Sequence, residues 1–442
     1  MEPEPDSHVV PGVHDVRGQK VLICHSIVHD LIGSTIVTLD LATALRDRGA
    51  EVLVYATFVG DPAAALFAER GIEVADDTAM AGRRFSEFDL VWVHSQALPE
   101  AMVEQFADPH DLPPFVFLHM SAIHYAPDEH PYVHELEERL SALSLFVSTR
   151  TREDLLPYFV EPPPTAIYPN PTPREYCAPA ELAPGLPRRV LVVSNHADPA
   201  LMAAKELLRE RGVDVTHVGR TGDLTALVTP ELLAPHDVVL SIGKTVQYCL
   251  VSGRPVFVHD HFGGYGYLDD ACLDRARHDN FSGRLGEPRS AEQIAAEVID
   301  GYAAAVDWHT RHRERFVDEY AIEHVLPRVL REIRPREVEP FPEPYRHALR
   351  STQAFGARFF HYWGHNANEV RNREALTAEV ARGAAEREAL ASELAAVRAD
   401  AAALREELAA LRASPTFRLG SALVAPARPL RRRIQRRRQR NA

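Results

Sequence analysis

The sequence predicts an α/β fold: two similar Rossmann-like, doubly wound domains facing a cleft, followed by one long helix. Three observations predict it. Short apolar runs alternate with segments of helical apolar spacing from about residue 19 to 168, the pattern of a parallel sheet covered by helices. A Pro-rich stretch, "NPTPREYCAPAELAPGLPRR", interrupts that alternation, and the pattern restarts at "RVLVVSNH". Beyond about residue 366, apolar positions recur by alternate steps of four and three, which is a heptad seam.

In chain order, residues 1–18 are polar and Pro-bearing and are expected to be disordered. The first domain, 19–168, opens with the strand "KVLICHSI" and the helix "STIVTLDLATALRDRGA", stopped at Gly49. "EVLVYAT" reads as a strand, "DPAAALFAERGI" as a helix, and "FDLVWVHS" and "PFVFLHMS" as strands. The helix "PYVHELEERLSAL", the strand "SLFVSTR" and the helix "REDLLPYF" follow, and "TAIYPNP" closes the series. Residues 169–189 read as a linker. The second domain, 190–335, carries strands at "RVLVVSNH", "VDVTHVG", "DVVLSIG" and "PVFVHDH", with helices between and after them. A connecting segment, 336–365, leads to a coiled coil at 366–413. Its seam is Leu376, Val380, Gly383, Arg387, Leu390, Leu394, Val397, Ala401, Leu404, Leu408 and Leu411. The competing reading of that segment is a single Ala-rich helix. Pro415 ends it.

With 442 residues, 45% hydrophobic and 25% charged, the chain has the composition of a soluble protein of about two or three domains. Its first residues have neither the basic nor the apolar region of a secretory signal, and no apolar run approaches the roughly 20 residues that span a bilayer. Cys24, Cys177, Cys249 and Cys272 have no metal-ligand or framework spacing, which fits a reducing cytoplasm. The net charge of −14 is uneven: residues 414–442 hold nine Arg and no acid. The body should repel nucleic acid, while the tail should attract anionic surfaces. The tail also interleaves Phe417, Leu419, Leu423, Val424, Leu430 and Ile434 with Arg. That mixture suits an interfacial membrane anchor. Nucleic-acid binding and a disordered solubility tail are the competing readings.

One stretch points to chemistry. A chain with 46 Arg and three Lys places Lys244 in "VVLSIGKTVQYCLVSGRPVFVHDHFGG". A strand, the turn Gly243-Lys244-Thr245 and a helix N-terminus would direct unpaired N–H groups at an anion. The bland alternative is an ordinary strand-to-helix corner with a solvated Lys.

Residues 18–335 resemble the GT-B glycosyltransferases, nearest to glycosyltransferase family four. The resemblance rests on ordered phrases: "VLICHSIVHDLIGSTIVTLDLATALRDRGAEVLVYA", "FDLVWVHSQ", "PFVFLHMS", "LSLFVSTRTREDLL", "AIYPNPTPREYCAP" and "GRPVFVHDHFGG". The family's Gly-Gly turn is replaced by Gly33-Ser34. Its paired Glu residues are absent, and Leu240 and Tyr248 fall near their places. The resemblance implies an acceptor side at Gly33 and Ser34. A nucleotide-sugar site is expected at Asn195, His196, Gly219, Arg220, Gly243, Lys244, Thr245, Gly263 and Gly264, with Gln247, Asp260 or His261 serving in place of the absent Glu. "DHFGGYGYL" is Gly-rich and aromatic, which suits a segment that closes over the donor sugar; the alternative is a flexible connector.

His94 and His119 end adjacent strands, so they are expected to face the cleft, where one would orient the acceptor or move its proton; the alternative is that each is a hydrogen-bonded structural His at a strand end. His25 and His29 are weaker candidates. No metal or bound cofactor is expected; the nucleotide sugar is a substrate. The helical stalk and "SPTFRLGSAL" resemble the C-terminal extensions of bacterial enzymes that build surface polysaccharides. The expected function is transfer of a sugar to a cell-surface glycan or its lipid-linked precursor. The place is the inner face of the plasma membrane, and the protein is a coiled-coil homo-oligomer. The alternative is a catalytically silent GT-B scaffold that binds nucleotide or glycan. A GT-B epimerase is a third reading, against which the membrane-type tail argues.

Overall fold

The computed structural model of the chain describes residues 15–123, 129–182, 185–219, 222–224 and 226–424. It falls into two compact units, Met1–Gly364 and His365–Ala442. The first unit holds two sheets.

The strands of the first sheet are β1 (Lys20–Val28), β2 (Glu51–Val59), β3 (Glu73–Ala75), β4 (Leu90–His94), β5 (Phe115–His119), β6 (Ser141–Phe146) and β7 (Thr165–Ile167). They lie in the order β3-β2-β1-β4-β5-β6-β7, every neighbour pair parallel. The second sheet holds β8 (Arg189–Val193), β9 (Asp214–Val218), β10 (Val238–Ser241), β11 (Val256–Asp260) and β12 (Gly263–Tyr267). Its order is β12-β11-β10-β8-β9, parallel except for the β11–β12 edge. The two Rossmann-like domains of a GT-B fold are therefore present, followed by a long helix, Glu343–Ala413. Strands such as Arg189–Val193 and Val238–Ser241 are buried runs of Val and Leu because helices cover both faces.

Four features differ from expectation. Residues 15–18 belong to the fold: Val16 is buried in the first core, and Gly18 N–H donates to the Gly49 carbonyl. The expected disordered segment otherwise lies outside the described residues. The linker is docked rather than loose. Thr172 N–H donates to the Tyr320 carbonyl at 2.7 Å, its own carbonyl accepts from Ile322 N–H, and the Tyr176 ring stacks on Tyr248 at 4.0 Å.

The Ile322–Glu332 helix crosses back to the first sheet. There Ile322, Val325, Leu326, Val329 and Leu330 join the core of β1, β2 and β4. Segment 336–349 then covers the other face through Phe341 and Leu349. The two ends of the chain's α/β part thus build the first domain together, which sequence order alone conceals.

The fourth difference is "GGYGY", expected as a Gly-rich closure and found as edge strand β12. Gly264 is buried there, and a Cβ on it would stand 1.9 Å from the Val258 carbonyl oxygen. The glycines let β12 lie against β11 and the Glu287 backbone, whose N–H and carbonyl pair with Gly264. Packing alone requires glycine at 263 and 264.

In the second unit, residues 365–413 continue as helix with Leu376, Val380, Leu390, Leu394, Val397, Leu404, Leu408 and Leu411 exposed. A helix restarts at Pro415–Val424, where Pro needs no helical N–H partner. No helix among the described residues is long and apolar enough to cross a membrane. The tail beyond Val424 lies outside the described residues.

Gly264→Ala should destabilise the protein by about 1–3 kcal/mol, because backbone atoms must shift to admit the methyl group. Urea unfolding should show a lower midpoint with an unchanged slope; an unchanged midpoint would contradict this packing role.

Candidate functional site

The carboxyl ends of both sheets open on one cleft, as a doubly wound fold dictates. It has two lobes that share Gly33, Ile242 and Lys244. The first, a cavity of about 300 Å³, is lined by residues following β8, β9 and β10 and at the end of β11: Ser194, Asn195, His196, Gly219, Thr245 and Asp260 among them. The second, about 550 Å³, adds Ser34, Gly243, Glu129, Asn280, Phe262 and Arg284. The structure thus assembles Gly33, Ser34, Asn195, His196, Gly219, Gly243, Lys244, Thr245 and Asp260 around one space.

Each position has a local cause. Gly243 caps the Lys244–Ser252 helix after β10 ends, and its own N–H donates to the Phe281 carbonyl. The next N–H groups, of Lys244 and Thr245, have no acceptor within the helix. Gly219 lies against the loop after β8; a Cβ there would stand 1.9 Å from the Ser194 carbonyl oxygen. Asp260 is buried, and its Oδ1 accepts from the Ser194 hydroxyl at 3.1 Å and from His261 N–H at 2.8 Å. Its carboxylate thereby fixes the loop carrying Asn195 and His196. His261 stands beside this lobe, its ring 5.5 Å from that of His196 and 3.6 Å from that of Phe262.

Lys244 is more engaged than a solvated corner residue. Its Nζ lies 2.9 Å from Oδ2 of Asp40, on the Gly33–Asp47 helix of the first domain, and donates to the Pro171 carbonyl at 3.0 Å. The ammonium also sits 5.3 Å from the centre of the Tyr248 ring. Both charged side chains are nearly buried. Burial pushes the Asp40 carboxyl above its ordinary range, and Lys244 pulls it back. One Lys therefore joins the two domains at the mouth of the anion-type helix end.

His94, His119 and Gln247, with the weaker candidates His25 and His29, fall outside the two lobes, and Arg220 is outside the described residues. His94 is fully buried at the end of β4, with Nδ1 3.0 Å from the Thr38 hydroxyl. Burial, and then His25, hold its pKa well below the usual imidazole value. The His25 ring packs 5.2 Å away and is held at about 4 by burial. The Nε2 atoms of both have no partner among the described residues. His29 is also buried, packed between Phe58 and Trp363.

His119 is likewise buried, against Glu137 at 3.0 Å and under the Phe146 ring. Burial alone would lower its pKa, but the Glu137 carboxylate, together with Glu129, raises it. Each strand runs on through its His, with His94 paired to Leu118 and His119 to Phe146 within the sheet, so neither His lines the cleft. Gln247 faces a neighbouring cavity of about 510 Å³ that shares Val147, Ser148 and Asn280 with the second lobe, and it donates to Asn280 Oδ1 at 3.2 Å.

The cleft also holds residues that motif reading missed. Glu129 is 8% exposed; its Oε2 accepts from Met120 N–H at 3.2 Å and the Ser95 hydroxyl at 3.4 Å. It lies in a loop without a recognisable phrase. Arg284 places its guanidinium 3.6 Å from the centre of the Phe262 ring and has no acidic partner among the described residues. Asp40 had a legible signal, a lone acid between Leu39 and Leu41 on an apolar helix. Tyr248 is held by its stack on Tyr176, whose hydroxyl donates to the Val228 carbonyl.

No protein-family model matches the chain, and no curated protein matches it. Solved structures do. They include Anabaena HepE in complex with UDP and glucose, at 13% identity over 71% of this chain and 98% of that one, with a TM-score of 0.48. A glycosyltransferase from Rickettsia africae matches at 12% identity over 72% and 98%, with a TM-score of 0.47. A sucrose-phosphate synthase from Thermosynechococcus elongatus matches at 13% over 71% and 98%, with a TM-score of 0.45.

The His119–Glu137 pair has a pH signature. A raised His pKa contributes stability in full below the unfolded value of about 6.5 and loses it as pH rises through the folded value. Against a double variant, His119→Gln with Glu137→Gln, the wild type should hold its greatest advantage near pH 6. Urea midpoints from pH 6 to 9 should show that advantage shrinking; growth with pH would contradict the pairing.

Proposed function

We propose that the chain is a glycosyltransferase that moves a sugar from a nucleotide-sugar donor to a cell-surface glycan or its lipid-linked precursor. The observation that carries this reading is the cleft itself. A helix N-terminus and two cations, Lys244 and Arg284, share one lobe with a nearly buried carboxylate, Glu129.

Transfer breaks the bond between the sugar's anomeric carbon and the diphosphate oxygen, and forms one to an acceptor hydroxyl. The electron pair of the broken bond leaves with the nucleoside diphosphate. Negative charge grows there, where fixed N–H dipoles and cations stabilise it without reorganising. Lys244 and Thr245 N–H, the Lys244 ammonium and the Arg284 guanidinium are assigned that role, in place of a metal. The loop of Asn195 and His196, fixed by Asp260, would hold the nucleoside. The acceptor hydroxyl must lose a proton, and Glu129 is the carboxylate placed to take it. The Arg-bearing, apolar tail supports an acceptor held at the inner face of an anionic membrane.

A second reading has its own observation. Lys244 is already neutralised by Asp40, and the family's paired Glu are absent. Both suit a silent scaffold that binds nucleotide or glycan without turnover.

Calorimetry with UDP, GDP, dTDP and ADP tests the shared premise. One diphosphate should bind at micromolar strength, and Lys244→Met should weaken it about tenfold or more, which is about 1.4 kcal/mol. Binding of none would overturn the nucleotide site. Turnover of the matching nucleotide sugar separates the two readings. Glu129→Gln should slow transfer by about 10²–10⁴-fold while leaving diphosphate affinity unchanged. Tight binding with no turnover in the wild type selects the scaffold.

A further inference from the structure

The exposed helix 365–413 carries information that its apolar seam alone does not. The steps of four and three put Val380, Arg387, Leu394, Ala401 and Leu408 at heptad position a. Leu376, Gly383, Leu390, Val397, Leu404 and Leu411 fall at d. These side chains have no cover: Leu390 is 63% exposed, Val397 58% and Leu404 65%. The positions flanking the seam are sorted by sign. Every g position is acidic: Glu379, Glu386, Glu393, Asp400 and Glu407. The last three e positions are basic: Arg398, Arg405 and Arg412. The outer positions b, c and f between 395 and 413 are Ala, with Glu406 the one exception.

A solitary helix gains most from charge on its outer, water-facing positions. Here charge is withdrawn from that face and confined to the two edges of the apolar stripe. Residues at e and g meet only across a helix pair, so this sorting is addressed to a partner helix. In a parallel, in-register pair, g of one helix faces e of the next heptad on the other. That brings Glu393 to Arg398, Asp400 to Arg405 and Glu407 to Arg412, three opposite-charge contacts on each side. In an antiparallel pair, g faces g and e faces e, which sets Glu against acid and Arg against Arg. The charge pattern therefore complements a second copy of this same helix running in the same direction.

Strand number follows from Arg387. At an a position in a two-stranded coil, its long side chain reaches past the seam to water and to Glu386 of the other copy. In three or more strands the guanidinium would be drawn into a closed core without a partner. A single polar a residue also penalises shifted registers.

We propose that residues 376–411 form a parallel, in-register two-stranded coiled coil between two copies of this chain, tightest from Leu390 onward. The proposal is independent of the chemistry assigned to the cleft.

Sedimentation equilibrium of the full chain should return twice the chain mass; a monomer at tens of micromolar, or a trimer, would overturn the proposal. Leu404→Cys tests direction, because only a parallel, in-register pair sets two d positions 404 face to face. Mild oxidation should give a covalent dimer that the wild type, treated alike, does not form. A dimer by mass that resists this cross-link would overturn the direction.

Charge reversal gives a second arm that leaves the helix intact. The triple variant Arg398→Glu, Arg405→Glu, Arg412→Glu should self-associate on the order of a hundredfold more weakly. Mixing it with Glu393→Lys, Asp400→Lys, Glu407→Lys should restore pairing between the two variants. Unchanged self-association of the Arg variant would contradict parallel pairing, since an antiparallel pair keeps like facing like in both proteins.

Discussion

The contact between Lys244 and Asp40 holds the rest of the cleft in place. It joins the helix that follows β10 in one domain to the helix that follows β1 in the other, at 2.9 Å. Each of these helices begins at the carboxyl end of its sheet, where a doubly wound fold concentrates ligand contacts. Two charges this deeply placed are costly unless paired, and removing one alone leaves the other buried, at about 3–5 kcal/mol. The scarcity of Lys in the chain makes its use here the more specific. Other ties act in parallel. The Pro171 carbonyl brings the linker to the same ammonium, and the Ile322–Glu332 helix returns to the first core. Together they leave the two sheets a shared cleft.

This arrangement changes how the anion-type turn works. The helix end offers N–H groups without helical acceptors, but the nearest ammonium is already satisfied by a carboxylate. An incoming diphosphate would have to compete with Asp40 for Lys244, or bind with Asp40 beside it. Arg284 has no such competitor among the described residues and rests on an aromatic face. The places where the resemblance would put two Glu are likewise explained locally. Leu240 is core in β10, and Tyr248 is held by the Tyr176 stack. Neither place can hold a carboxylate without dismantling that packing.

Much of the fold was legible because a parallel sheet buries both faces of its strands, so runs such as "VLICHSI" and "VVLSI" announce themselves. Strand β12 did not, because its glycines serve a close backbone approach and carry no apolar signal. The return of 322–349 to the first domain was hidden because amphipathic spacing shows that a face is buried but not against which sheet. Within the site, the Gly-Lys-Thr turn and the loops after β8 and β9 were readable from strand ends. His94 and His119 were misplaced because a strand end specifies an edge and not a depth. Glu129 and Arg284 sit in irregular loops, where spacing has no period to read.

The most direct test of this account is the diphosphate affinity of Asp40→Asn beside that of the wild type, by calorimetry at a temperature where both are folded. Asparagine keeps the shape of the side chain and removes the charge that occupies Lys244 and repels an anion. The account predicts that the variant binds its nucleoside diphosphate more tightly than the wild type does. Equal or weaker binding would mean that Lys244 is a domain strut alone and that the anion site lies elsewhere.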